Sequence, residues 1–432
     1  MIALVDVALA EWESIQPSDT PRGRLLQGVW LDDPRAVRLA EDLSRARILH
    51  VEERRAGLFV GATSFVGRIQ LGRVRVTVEP KIAREPLLRL FRYAYGLRRL
   101  MLFGASTADA GTLFQDVLLH QLRAEVDELR RRGLLHRYVA RSEDLASPRG
   151  RVDIDRLATR GGMIAATLPC RHSPRTIDHL LNRVIAAGVA LGVRLAHAPA
   201  LRQDLLTLDR MLGEPPLGRV HLDRDLLRIA RASISRLSSA YEPTLKVIEL
   251  LVEGMSIELD DGEALAIPGF LFDMNRFFQA LVERLLVDHL TEHEVRSEVG
   301  LAGMMRYVQN PRNRRAPQPR PDLTIRTKKT GAVSLLDAKY RDLWEKPLPR
   351  EMLYQLALYA MSQREAPSAA MIFPTDAQHA TEAVVEVCDP VGRGRLATVK
   401  LRPLHVETLA AALDDENGIA TLTAIAHRLA FG

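Results

Sequence analysis

The stretch from Pro321 to Tyr340 limits this chain more than any other. Asp322 opens an apolar run, Lys328 to Gly331 supply a polar turn, and a second apolar run ends in Asp337-Ala338-Lys339. Two short apolar runs around a Gly-containing turn predict a β-hairpin. Strand side chains alternate between faces, so Asp337 and Lys339 share one face and Ala338 takes the other. Antiparallel pairing brings Asp322, at the start of the first strand, beside the end of the second. Two carboxylates next to one ammonium suit a divalent cation such as Mg²⁺ or Mn²⁺ and a positioned water. Solvated charges on a surface hairpin are the competing reading. Lysine is scarce, with seven among the 60 Lys and Arg residues. An arginine cannot release its proton in a protein and a lysine can, so the choice of Lys339 matters at a site that activates water.

The neighbouring segments fit one architecture. Met274 to Leu290 is spaced as an amphipathic helix, Glu351 to Arg364 as another, and Ala369 to Phe373 as a short apolar strand. Helix, strands bearing Asp and Asp-x-Lys, helix, strand resembles the PD-(D/E)XK nuclease core, here as Pro321-Asp322 and Asp337-Ala338-Lys339. The wider wording covers the last third of the chain. Asp273-Met274-Asn275 with Phe277-Phe278, then Tyr340, Tyr354-Gln355-Leu356 and Tyr359, resembles the McrC family, the nuclease subunits of modified-cytosine restriction systems. The resemblance implies that Asp322 and Asp337 bind Mg²⁺ with help from the Ala338 carbonyl. It also implies that Lys339 aligns or deprotonates the attacking water, and that Gln355 orients that lysine or the substrate phosphate. One departure stands out. McrC-like proteins tend to carry Phe-Glu where this chain has Phe278-Gln279, and a neutral amide brings no charge to a cation. Glu283, one turn further on, is the alternative acid for the metal.

Composition sets outer limits. A chain of 432 residues has room for two or three domains, and its net charge of +6 suits a polyanionic partner. Cys170 and Cys388 are the only cysteines, which excludes a Cys-rich zinc module and a disulfide framework. Met1 to Ala10 is apolar, but Asp6 interrupts it and no basic segment precedes it. It reads as neither signal peptide nor membrane span, and a cytoplasmic protein without a membrane partner is expected. The sequence has no Gly-x-x-x-x-Gly-Lys-Ser/Thr loop, so this chain is not expected to bind a nucleotide. The resemblance therefore implies a separate McrB-like AAA+ GTPase, or a related P-loop ATPase, acting with this chain on double-stranded DNA.

Along the chain we expect an α+β protein: a mixed, β-containing N-terminal module (1–110), a helical middle open to partner binding (111–255) and a C-terminal PD-(D/E)XK nuclease core of α/β type (256–432). In the first block, Leu58 to Phe65 and Val74 to Val78 read as strands. Glu79-Pro80-Lys81-Ile82 stops the second, and Leu87 to Leu97 follows as an aromatic-rich helix. Lys81 is either a phosphate or partner contact or a structural element. The middle block carries helical spacing over Thr112 to Arg132, Asp178 to Leu195, Leu222 to Leu237 and Tyr241 to Glu253. Arg130-Arg131-Arg132-Gly133 suits a helix C-terminus, and the Arg149-Gly150-Arg151 turn suits DNA, a partner or solvent. Cys170 and His172 are two donors where a zinc site needs three or four. In the last block, Val295 to Leu301 reads as the first strand. A proline-broken loop follows with Arg312, Arg314, Arg315 and Arg320, placed for DNA phosphates. The expected function is a Mg²⁺-dependent DNA endonuclease subunit of a restriction system. The alternative is a non-catalytic adaptor that activates the AAA+ motor and carries a decayed nuclease site.

Overall fold

The structure is a computed structural model, and its described residues are 4–97, 114–159, 166–213, 217–218, 220–258, 264–363 and 367–432. Thr112, Glu214 to Pro216, Asp260 to Gly262 and Arg364 lie outside them. The chain divides into two compact units, one of Met1–Arg99, Glu258–Glu263 and Leu271–Gly432, the other of Leu100–Ile257 and Ala264–Phe270. Most of the first and last sequence blocks therefore belongs to one unit. Helix and sheet are both prominent, so the protein is α+β. No described helix is long and apolar enough to cross a membrane.

The first unit begins with β1 (Val5–Ala10), β2 (Ser14–Ile15), α1 (Pro34–Arg45), β3 (Leu49–Arg54), β4 (Gly57–Ala62), β5 (Phe65–Leu71), β6 (Val74–Glu79) and α2 (Arg84–Tyr95). β6 runs parallel to β1 and antiparallel to β5, while β4 pairs antiparallel with β2 and β3. The single strand expected over Leu58 to Phe65 is two. Thr63 breaks it: its hydroxyl donates to Ile48 O (2.5 Å) and its own carbonyl accepts from Trp12 N–H (3.3 Å), diverting the backbone into another sheet.

The second unit carries α3 (Phe114–Arg132), β7 (Arg137–Tyr138), β8 (Arg141–Leu145), β9 (Arg151–Val152), α4 (Ile154–Ala158), β10 (Leu168–His172) and β11 (Arg175–Thr176). After these come α5 (Leu180–Leu195), α6 (Pro199–Leu212), α7 (Arg224–Ala232) and α8 (Glu242–Glu253). Short strands β12 (Ser256–Glu258) and β13 (Ala264–Ala266) follow. Small antiparallel sheets thus accompany the expected helices. Gly133 takes φ +92 after the arginine-rich end of α3, the left-handed turn that glycine adopts without a Cβ clash. Asn182 ties this unit together: its amide donates to Leu135 O (2.8 Å) and Ile177 O (2.6 Å), and its oxygen accepts from Tyr241 OH (2.7 Å). α7 stops at Ala232, short of Leu237, because Ser233 Oγ donates to Ala230 O (2.6 Å) and Ser238 Oγ accepts from Ser235 N–H (2.8 Å). Both bonds offer the backbone an alternative to the helix.

The chain returns to the first unit within β14 (Gly269–Asp273), and α9 (Met274–His289), β15 (His293–Ser297), β16 (Leu323–Thr327), β17 (Val333–Ala338), α10 (Arg350–Met361) and β18 (Ser368–Thr375) follow. β19 (Ala383–Cys388), β20 (Arg395–His405), α11 (Val406–Asp414) and α12 (Ile419–Phe431) complete it. Its sheet has the order β15-β16-β17-β18-β20-β19. β15, β16 and β17 are antiparallel; β17, β18 and β20 are parallel; β19 returns antiparallel. β18, central and flanked by parallel neighbours, is apolar and buried along nearly its whole length. Leu335, Met371, Phe373, Val399 and Leu401 form one core with Leu356, Tyr359 and Ala360 of α10. β15 ends at Ser297, before the expected Leu301, because Glu298 turns to φ +52.

Candidate active site

The expected hairpin forms as β16 and β17, with Leu323 opposite Leu336. That register sets Asp322, one residue before β16, beside Asp337 and Ala338 at the end of β17. Asp322 Oδ2 accepts the Ala338 N–H (2.9 Å) and the Lys339 ammonium (3.1 Å). Lys339 Nζ also lies 3.1 Å from Asp337 Oδ2. This second approach is a charge contact without hydrogen-bond alignment, and both oxygens of the fully buried Asp337 lack a hydrogen-bond partner. Burial and the neighbouring Asp322 raise the Asp337 carboxyl above its ordinary range, against the opposing pull of Lys339. Burial lowers Lys339, but the two carboxylates outweigh it and hold the ammonium above its ordinary value. The pair attracts, yet for Asp337 loss of solvent is the larger effect.

Around this centre sits a supporting set that bridges distant sequence. Lys339 N–H donates to Ile372 O on β18 (3.0 Å), and Tyr340 N–H donates to Asn275 Oδ1 (3.1 Å). Asn275 Nδ2 in turn donates to Ser64 Oγ (2.7 Å), while Asp273 caps α9 by accepting Asn275 N–H (2.9 Å). Burial raises the Asp273 carboxyl, and Lys339 is among the charges that oppose the rise. Tyr340 OH donates to Glu11 Oε2 (2.9 Å), which also accepts Lys81 N–H (2.8 Å). Glu11 is fully buried, and its other oxygen has no partner. Nothing in the sequence separates Glu11 from a surface glutamate, because its partners lie far along the chain.

The remaining candidates differ in how the structure uses them. Gln355 does not reach the lysine directly: its amide donates to Tyr359 OH (2.6 Å), and that hydroxyl donates to Arg320 O (2.7 Å), two residues before Asp322. Gln355 thereby braces the segment that delivers Asp322. Glu283 accepts from Ser297 Oγ (2.6 Å), and Gln279 is half-buried on the same helix. Among the described residues no three His, Cys, Asp or Glu side chains converge on one point. A cation here would take its protein ligands from Asp322, Asp337 and backbone oxygen, with neither Glu283 nor Gln279 adding charge. Arg312, Arg314, Arg315 and Arg320 are all exposed, and the Asn310 side chain holds their loop by bonds to Arg314 O (2.7 Å) and Arg314 N–H (2.8 Å). Cys170 is buried and His172 pairs with Glu143 (2.6 Å), a structural arrangement.

Glu11 yields a pH-dependent expectation. Burial pushes its carboxyl up to about 7, against the opposing Lys81 N–H and Tyr340 hydrogen bonds and the Lys81 charge. A folded-state value above the unfolded one means the folded protein holds this proton more tightly. The resulting stability is complete below about pH 4.5 and is lost as pH rises through about 7. Glu11→Gln removes that loss, so its stability relative to wild type should improve between pH 5 and pH 8 by up to about 3 kcal/mol. Denaturant unfolding across this range measures it, and parallel pH profiles for the two proteins would show the assignment to be wrong.

The comparisons with known proteins can be set against this geometry. Residues 60–374 match the family described as McrBC 5-methylcytosine restriction system component. A chain of the refined half-complex from the tetradecameric assembly of Thermococcus gammatolerans McrB AAA+ hexamers with bound McrC is similar in fold. It has a TM-score of 0.63 and 18% identity, with 97% of this chain and 99% of that chain covered. A chain of the Thermococcus gammatolerans McrBC complex seen by cryo-electron microscopy gives a TM-score of 0.45 and 19% identity, with 68% and 89% covered. No curated protein sequence matches. The family match runs from β4 through the Asp322, Asp337 and Lys339 centre into β18, well over half of the chain, and bears out the resemblance to McrC. This chain belongs to the McrBC 5-methylcytosine restriction system component family.

Proposed function

We propose that this protein is the Mg²⁺-dependent DNA endonuclease subunit of a restriction system, built on a PD-(D/E)XK core and driven by a separate McrB-like AAA+ GTPase. The observation that carries the reading is Asp337. A carboxylate fully buried with neither oxygen hydrogen-bonded is costly, by several kcal/mol for a charge taken from water (roughly 1–3 kcal/mol for each unmet polar group). Such a group fits a cation that prefers oxygen ligands and needs only one or two carboxylates, keeping waters for its other positions. Asp322 and Asp337, with the Ala338 carbonyl, would hold Mg²⁺ or Mn²⁺. When bound, the ion supplies positive charge against the phosphoryl oxygens of the transition state. Lys339, held between the two aspartates, aligns the attacking water through Nζ. Gln355 and Tyr359 keep Asp322 in register through Arg320 O. The exposed arginines of the 310–320 loop supply phosphate contacts.

The AAA+ partner comes from the similar fold found in an assembly of McrB hexamers with bound McrC, and from the lack of a phosphate-cradling loop in this sequence. A second reading, the non-catalytic adaptor, is favoured by one specific feature: Gln279 stands where McrC-like proteins carry Glu, and no third acid joins the two aspartates among the described residues. Reconstitution separates the two. The purified chain alone should neither cleave DNA specifically nor hydrolyse GTP or ATP. Adding the P-loop partner with nucleotide and Mg²⁺ should produce both cleavage and faster nucleotide turnover. Turnover without cleavage would select the adaptor, and robust site-specific cutting by the lone chain would overturn both motor-coupled readings.

A further inference from the structure

The segment that follows Lys339 meets the N-terminal part of the same unit at a group of cations that the centre above does not use. Trp12, next to Glu11, adopts φ +61, a left-handed conformation that costs a bulky residue about 1–2 kcal/mol. Its N–H donates to Thr63 O (3.3 Å) and the Glu11 N–H to Glu79 O (3.1 Å), which hold the indole in place. Arg341 Cζ and Lys346 Nζ each lie 5.7 Å from the Trp12 ring centroid, within range of a cation–π attraction. Arg341 follows the lysine in a tight turn, its N–H donating to Lys339 O (2.9 Å). Lys81 arrives from the end of β6, positioned by its N–H bond to Glu11. Burial lowers the Lys346 ammonium, and the charges of Lys81 and Arg341 lower it further, against Asp342. Two cations thus flank one indole, and Lys81, from a remote part of the sequence, is close enough for its charge to act on Lys346.

The acids whose charge reaches them are Asp342, acting on Lys346, and Glu11, acting on Lys81, and neither makes a side-chain hydrogen bond to a cation of the group. Asp342 gives its hydrogen bonds to neutral donors, with Oδ1 accepting Trp344 N–H (2.8 Å) and Oδ2 accepting the Thr375 hydroxyl (3.0 Å). The Glu11 carboxylate takes the Tyr340 hydroxyl and the Lys81 backbone. Arg341 Nε is buried without a hydrogen-bond partner. Gathering three cations against two acids, one of them Glu11 with its carboxyl pushed up to about 7, leaves an excess of positive charge that a polyanion would offset, replacing repulsion with attraction and releasing its own counterions. We propose that Arg341 and Lys346, held over Trp12, form with Lys81 a phosphodiester clamp that grips the DNA backbone beside the Asp322, Asp337 and Lys339 centre. The clamp deepens the endonuclease reading and rests on it for the identity of the polyanion. It also gives the Pro80-Lys81-Ile82 stop a role that strand termination alone does not require.

The test uses the full chain, alone and assembled with its AAA+ partner, in an Asp337→Asn background that prevents cutting. Fluorescence anisotropy with a labelled DNA duplex is followed over a series of salt concentrations. The clamp predicts that Lys81→Gln with Lys346→Gln weakens binding by roughly 10-fold or more at low salt and reduces the slope of log affinity against log salt by about 2. Unchanged affinity and slope would overturn it. So would the absence of DNA binding by the background protein in either form, or lost partner assembly with DNA binding intact, which would make the cluster a protein contact. If the double variant loses DNA binding while the native, reconstituted protein binds DNA but never cuts it, the endonuclease reading fails and the clamp stands.

Discussion

Asp337→Asn is expected to abolish cleavage by the reconstituted complex, by at least about 1,000-fold, while making the metal-free protein more stable. Both effects have one cause. Asp337 is fully buried, its oxygens make no hydrogen bond, and burial with Asp322 raises its carboxyl above the ordinary range. Removing that charge relieves a desolvation cost and the repulsion of Asp322, while Asp322 stays as the partner of Lys339, and relief of this kind at a functional site commonly yields about 0.5–2 kcal/mol. Mg²⁺ should stabilise the native protein by about 3 kcal/mol at 100 times its dissociation constant, and the variant far less. Unfolding with chelator and with Mg²⁺, beside a cleavage assay, measures all three quantities. A variant that cuts at the native rate, or that gains from Mg²⁺ as much as the native protein, ends the assignment of Asp337 as a ligand.

Lys339→Arg should be nearly as damaging, with a loss of at least about 100-fold in cleavage and Mg²⁺ stabilisation retained. The charge persists, but a planar guanidinium cannot reproduce an ammonium placed 3.1 Å from one oxygen of each aspartate. The larger head would also press on a side chain whose backbone is pinned to Ile372 O. Comparable cutting by Lys339→Arg and the native protein would show that positive charge alone suffices there, and the water-aligning role would have to be withdrawn.

How much of this was visible beforehand depended on the range of the interaction. The hairpin was legible because a period of two and a glycine-containing turn are local signals. They put Asp322, Asp337 and Lys339 together before any contact was known. Helix α9 was legible from the spacing of Met274, Phe278, Leu281 and Leu285, all buried as expected. Gln355 is marked in the sequence by its Tyr354-Gln355-Leu356 motif, but its link to Asp322 through Tyr359 and Arg320 O depends on how α10 docks on the sheet. Strands β19 and β20 and helices α6, α11 and α12 were not recognised. Alternation in β19 is weak, and in a strand such as β20 burial on both faces removes it.

The sequence by itself determined the α+β class and the acid–lysine hairpin, because each is written in residues close together and in patterns of period two or 3.6, while the family was legible through the resemblance of its motifs. Tertiary structure alone decided the partner of Tyr340, the fully buried state of Asp337, the approach of Arg341 and Lys346 to Trp12 and that of Lys81 to Lys346. Glu11 and Tyr340 are 329 positions apart. No local propensity encodes such a pair. Desolvation, which raises the Glu11 and Asp337 carboxyls, is a property of everything packed around a group and not of the group's own identity.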